Sequence, residues 1–210
     1  GKGALTANTT GASNTAVGHN SLPANTTASG NTALGKDVLV TNTTGTGNTG
    51  VGEGVHYSSN ANYNTGIGWK VLHNNTGANN TGVGYSALIA NTTGYSHTAV
   101  GALALDANTT ANNVSAFGYQ SLTSNTTGDE NNAFGTYSLA ANTTGTRNSA
   151  FGTVCLQTNT TASYNTGVGW GALRNSTTGA SNTVMGVSAG TAVTTGSNNT
   201  IVGKNAGFNL

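Results

Sequence analysis

Apolar and polar positions along this chain alternate over short distances and then reset at a fixed interval. The phrase Asn-Thr-Ala-Val-Gly closes at Gly18. Variants of it close at Gly35, Gly52, Gly68, Gly84, Gly101, Gly118, Gly135, Gly152, Gly169, Gly186 and Gly203, in steps of 17 residues apart from two consecutive steps of 16. Counted from that glycine, each unit reads Gly-x-x-small-Leu-x-x-Asn-Thr-Thr-Gly-x-x-Asn-Thr-Ala-apolar. Self-similarity at a fixed period is the signature of a repeat architecture. No 3.6-residue periodicity runs through it, and the density of Gly and β-branched Thr disfavours helix. Short apolar stretches between Gly- and Asn-rich turns predict strands. Seventeen residues suffice for about two strands of four to five residues and two turns, which is one coil of a parallel β-solenoid. The expectation is an all-β chain, a parallel β-solenoid (β-roll) of about twelve coils stacked about 4.8 Å apart. It runs as one continuous array over residues 1–210 and reads as a slice of a longer fibrous protein, because Gly1 lies one period before Gly18 and the chain stops within a unit.

Stacking converts each position of the unit into a column. The leucine column (Leu5, Leu22, Leu39, Leu72, Leu88, Leu105, Leu122, Leu139, Leu156, Leu173) and the apolar column before the glycine (Val17, Leu34, Val51, Ile67, Val83, Val100, Phe117, Phe134, Phe151, Val168, Met185, Val202) are both predicted to form the core. A small column (Ala4, Ser21, Ala87, Ala104, Ser121, Ser138, Cys155, Ala172) implies close backbone approach, with Cys155 as a small buried hydrophobe. Asn14, Asn31, Asn48, Asn64, Asn80, Asn131, Asn148, Asn165, Asn182 and Asn199 form an asparagine column suited to stacked amide bonding, broken at His97 and Val114. Both short units lose their residue in or just after the Asn-Thr-Thr stretch, at Ser59 and Asn75, which marks that stretch as a turn.

Composition narrows the function classes. Charged residues make up 5% of the chain and the formal net charge is +1, with Lys2, Lys36, Lys70, Arg147, Arg174 and Lys204 scattered, so no basic patch favours nucleic acid. No apolar run reaches the 18 or so residues of a membrane-spanning helix. The lone Cys155 permits no internal disulfide framework. The five acidic residues (Asp37, Glu53, Asp106, Asp129, Glu130) pair only as neighbours at Asp129 and Glu130, which argues against paired-carboxylate catalysis and against an enzyme. His19, His56, His73 and His97 fall in four different columns, so stacking gathers no metal site. The Gly45, Gly47, Gly50 spacing matches a dinucleotide fingerprint only by repeat phase. No cofactor is expected.

The phrases GNTALGKDVL at Gly30, YNTGVGWGAL at Tyr164 and NNTIVGKNAG at Asn198 resemble the head repeats of trimeric autotransporter adhesins and the similar arrays of phage tail fibres, over essentially the whole chain. The unit here is longer than the typical adhesin head repeat. The resemblance implies left-handed parallel β-rolls, three chains around one axis, an extracellular, cell-surface or virion location, and a role in adhesion or as a rigid spacer. A thin core also favours sharing apolar surface between chains, so self-association as a homotrimer or filament is expected.

Two sets of residues are candidates for contact or modification. Trp69, Tyr85, Tyr119 and Trp170 follow the glycine and would offer aromatic faces to a host-surface glycan or receptor. Asn8, Asn25, Asn42, Asn91, Asn108, Asn125, Asn142 and Asn159 head N-x-T glycosylation sequons, whose plainer reading is turn residues bonding their own backbone. The leading function is a structural or adhesive fibre segment. The alternative is an ice-binding solenoid using the ladder Thr9, Thr26, Thr43, Thr92, Thr109, Thr126, Thr143, Thr160 and Thr177.

Overall fold

The structure is a computed structural model describing residues 1–208. Twelve parallel strands form one sheet in which each strand pairs with the next in chain order, from Thr15–Val17 to Thr200–Val202. Register is strict: Thr15 lies over Thr32, Ala16 over Ala33 and Val17 over Leu34. The chain is therefore an all-β solenoid of about eleven turns of 17 or 16 residues, without helix among the described residues.

Each coil holds one strand where the sequence predicted two, and the strand is three residues long except at Thr65–Trp69 and Thr81–Tyr85. The cause is a set of left-handed corners. In a representative coil Gln120 (φ 52°), Leu122 (φ 52°) and Glu130 (φ 57°) all take positive φ, which breaks extended backbone. The inter-coil bonding nevertheless continues through the corners: the Gln120, Leu122 and Glu130 N–H groups donate to Ala102, Ser138 and Asn112 carbonyls at 3.0 Å each. A leucine held at positive φ costs on the order of 1–2 kcal/mol. Complete burial of its side chain, as at Leu122, returns about 1.5–3 kcal/mol. The glycine that ends each strand has no such substitute. At Gly118 φ is +131°, and a Cβ there would lie 2.6 Å from the Gly135 carbonyl carbon in the next coil.

Aligned by their buried residues, the two short coils read Ser59-Asn60-Ala61 and Asn75-Thr76-Gly77 where the others read Asn-Thr-Thr-Gly. The missing residue is the second threonine, which is exposed where present, as at Thr27, Thr44 and Thr127. The deletion sits in the turn, as its spacing implied.

The core differs from expectation in one column. Leu22, Leu39, Leu72, Leu88, Leu105, Leu122, Leu139, Leu156 and Leu173 are fully buried. The apolar column before the glycine is not: Val17 is 54% exposed, Met185 51% and Val202 69%. Alternation within the strand explains this. Thr32 and Leu34 point outward, so the residue between them, Ala33, points in and is buried. The interior is filled by that strand-centre column facing the small column of the same coil, and the two are matched in size. Val38, Val55 and Val71 face Gly50, Gly66 and Gly82; Cys155 faces Gly167; Ala172 faces Val184. Ala104 and Ala116 pair in a coil where neither partner is large. A Cβ at Gly82 would approach Val71 Cγ1 to 2.5 Å.

This complementarity predicts a double-mutant cycle. Gly82→Ala alone should destabilise by about 1–3 kcal/mol through overpacking. Val71→Ala alone should destabilise by a comparable amount by leaving a cavity. The double variant should lose clearly less than the sum of the two single losses, with a coupling of about 1–3 kcal/mol. Chemical-denaturation midpoints measure this, and simple additivity of the two losses would refute the packing match.

Candidate interaction surface

Two columns of asparagine run inside the stack, where the sequence singled out one for that role. In the first, each side-chain oxygen accepts the backbone N–H of its counterpart one coil on, as from Asn148 to Asn131 Oδ1 and from Asn165 to Asn148 Oδ1, at 2.9 and 3.0 Å. Apart from Asn64 and Asn199, each side-chain nitrogen donates to a turn carbonyl of the next coil, as Asn148 Nδ2 does to Ala162 at 2.8 Å. His97 occupies this column without ending it. Its Nδ1 takes the acceptor place, receiving the Val114 N–H at 3.3 Å.

The second column is the asparagine of Asn-Thr-Thr. Asn142 Nδ2 donates to Asn125 Oδ1 at 2.7 Å and to the Gly145 carbonyl of its own turn at 3.0 Å. Asn25, Asn42, Asn91, Asn108, Asn125, Asn142 and Asn159 are all fully buried, and Asn8 in the first coil donates to Gly11 in the same way. The nitrogen that would carry a glycan is thus committed inside the folded coil. The turn reading of these residues describes their geometry, with the addition of a ladder between coils that a single turn does not suggest.

The adjacent threonine is similarly engaged. Thr92, Thr109, Thr126 and Thr143 hydroxyls donate to the backbone carbonyls of Thr109, Thr126, Thr143 and Thr160 at 2.8, 3.1, 3.2 and 3.1 Å.

The outward side of the sheet carries three parallel columns. The first is Thr or a small polar residue, from Thr15 and Thr32 to Thr183 and Thr200, with Ser115, Asn132 and Ser149 among them. The second is the displaced apolar column, unbroken over all twelve strands. Within it Phe117, Phe134 and Phe151 stack, with centroids 4.7 and 5.0 Å apart and planes 8° from parallel. The third begins with the residue after the glycine. There Trp69 and Tyr85 extend their strands and stack at 4.9 Å with planes 4° apart, while Lys70 Nζ lies 4.5 Å from the Trp69 centroid. One face of each ring is therefore covered by the other. Tyr119 stands edge-on to Tyr137 at 5.4 Å, and Trp170 borders an open cavity of about 400 Å³ together with Arg174, Ser188 and Phe208. The four aromatics are exposed and do not converge on one site.

Charges on the surface are few, and the ion pairs among them are local. Lys36 lies 3.0 Å from Glu53 and 3.4 Å from Asp37, and Arg147 lies 2.9 Å from Glu130 and 2.7 Å from the Tyr164 hydroxyl. Such exposed pairs contribute little to stability. Cys155 is buried, and burial pushes its thiol up to about 12, which leaves it protonated and unreactive at neutral pH.

Two histidines are buried in positions that suit other residues. His56 replaces a leucine between Leu39 and Leu72, and neither ring nitrogen has a well-formed hydrogen bond, the Thr49 backbone offering only a weak counterweight. Burial lowers the His56 pKa from the ordinary 6.5 to about 4, and burial lowers that of His97 similarly, to about 4, against the opposing pull of the Ala111 and Val114 backbone. Comparison with protein-family models, with curated proteins and with solved structures returns no match.

The histidines set a pH dependence. An unfolded chain takes up these protons near pH 6.5, whereas the folded chain does so only near pH 4. Stability is therefore full above pH 7 and declines as pH falls from about 6.5 to about 4, by at most roughly 1.4 kcal/mol per histidine per pH unit. Denaturation midpoints at pH 7.5 and 4.5 should differ less in His56→Leu, and less again in His56→Leu/His97→Asn. An unchanged acid sensitivity in the double variant would remove the histidines as its cause.

Proposed function

We propose that this chain is a rigid segment of a structural or adhesive fibre in which copies pack side by side along the exposed apolar column. The carrying observation is that column itself: twelve successive rungs each present a Val, Leu, Ile, Phe or Met outward at the same place, exposed at Val17, Leu34, Ile67, Phe151, Met185 and Val202 and half-buried at the others. Contiguous exposed apolar surface on this scale marks an interaction site, because a monomer in water gains nothing by keeping it bare. Strands in register give the partner surface the same repeat, so a second copy meets a matching ridge along the whole rod, roughly 50 Å at about 4.8 Å per rung. Assembly around a threefold axis, and an extracellular, cell-surface or virion location, follow from the resemblance to adhesin heads and tail fibres. Contact with a surface glycan or receptor belongs to the same reading, and no reaction is assigned to the chain.

Ice binding is the second reading, and a specific observation keeps it. The hydroxyls of Thr15, Thr32, Thr49, Thr65, Thr81 and Thr98 form a regular outward row on the sheet, two residues from the apolar column. The threonines of the turn are less suited, since their hydroxyls are spent on backbone carbonyls. The uneven size of the apolar column, from Val100 to Phe117, favours a protein partner over a flat lattice.

Sedimentation or light scattering tests the fibre reading. Wild type should show a mass near three times the 20.7 kDa chain, and Phe117→Ser/Phe134→Ser/Phe151→Ser should shift it toward the single chain while the far-UV spectrum stays β-type. A wild-type monomer at tens of micromolar with measurable thermal hysteresis would transfer the proposal to the second reading.

A further inference from the structure

Beside the leucine column lies a groove that no sequence motif marks. The residue after the leucine is Ile89, Asp106, Thr123, Ala140, Gln157 and Arg174 in successive coils. Ala140 is the smallest of these, and with Ala141 next to it opens a notch one coil wide. The notch is an open groove of about 480 Å³ with Tyr137, Gln120, Ser124 and Gln157 along its sides. It is wide and shallow, with a mainly apolar floor and a few polar groups, a shape for an extended ligand lying along the surface.

Three features define the chemistry it would accept. The Tyr137 ring is held by the edge-on Tyr119 at 5.4 Å, so it offers a fixed apolar surface. Gln157 has its oxygen occupied by Arg174 Nε at 3.1 Å, which leaves its amide N–H groups as donors. Gln120 has no side-chain hydrogen bond to the described residues, so its amide can both donate and accept. None of the lining side chains is charged; next to them Asp106 accepts the Thr123 hydroxyl at 2.6 Å, and the exposed Arg174 gives its Nε–H to Gln157. A phosphate, sulfate or sialic acid would find no cation among the lining side chains. A purely apolar ligand would leave the amides unpaired, which carries a desolvation penalty.

We propose that this groove binds a neutral carbohydrate chain, with the apolar face of one sugar ring on Tyr137 and ring hydroxyls meeting Gln120, Ser124 and the Gln157 amide. The proposal deepens the adhesive part of the proposed function and rests on it. None of the groove residues belongs to the outward apolar column, so the two surfaces are separable by mutation.

The test is a printed array of neutral, sialylated and sulfated glycans probed with the purified chain, followed by calorimetric titration of the strongest neutral glycan. Wild type should bind neutral glycans. Tyr137→Ala and Ala140→Trp, which remove the platform and fill the notch, should each weaken binding at least tenfold, with Gln120→Ala as a milder variant that alters only a half-buried surface amide. Sedimentation mass and far-UV spectrum should be unchanged in all three. Absence of neutral-glycan binding, a response confined to acidic glycans, or equal affinity in all variants overturns the groove. A chain of trimer mass that binds no glycan loses this site alone, whereas a monomer that binds through Tyr137 loses the fibre assembly alone.

Discussion

Each coil of this chain rests on the next at the distance that a backbone hydrogen bond between strands imposes, about 4.8 Å. Every residue must therefore tolerate the equivalent residue of the neighbouring coil directly above it. Glycine is forced at the end of the strand by this constraint, because the space over Gly118 is already taken by the Gly135 backbone. Asparagine is favoured inside, because its amide donates and accepts along the stacking direction and so bonds to its own copy. Leucine can stack on leucine at a left-handed corner because its side chain is buried among the other apolar residues of the core.

Where a column is interrupted, the cost is visible one coil away. Ser59 and Ser176 stand where the Asn-Thr-Thr asparagine should be, and the oxygens of Asn42 and Asn159, which would have accepted from that residue, have no partner. The coils from Gly52 to Gly84 collect several such faults. They contain both deletions, the orphaned His56, Ser59, and Asn64, whose side-chain nitrogen is unpaired. Gly77, the carbonyl that Asn64 would reach, already accepts from Asn75 and Asn80 at 2.7 and 3.2 Å. Buried polar groups left without partners cost roughly 1–3 kcal/mol each, so local opening should be easiest in this part of the rod.

The same stacking rule shapes the outside. A side chain that points outward is repeated at each rung, so a single apolar choice in the unit becomes a continuous stripe, and a single small residue such as Ala140 becomes a notch in an otherwise filled column. The outer surface of this protein is therefore a set of rows and gaps in rows.

Most of the architecture was legible in the sequence. The 17-residue period fixed the coil, the in-phase leucines and asparagines identified interior ladders, and the two deletions located the turn, because each of these follows from repetition alone. What repetition does not reveal is the direction in which a column points. The Val17 to Val202 column has the composition of a core and lies outside, while the Asn-Thr-Thr asparagines have the composition of an exposed turn and lie inside. Both reversals arise from three-residue strands set between left-handed corners. One step of strand alternation decides which of Thr, Ala and Val faces inward, and the match between Val71 and Gly82 or Ala172 and Val184 fills the remaining space. Orientation and size matching depend on residues a dozen positions apart in the chain meeting across one coil, so only the tertiary structure could decide them.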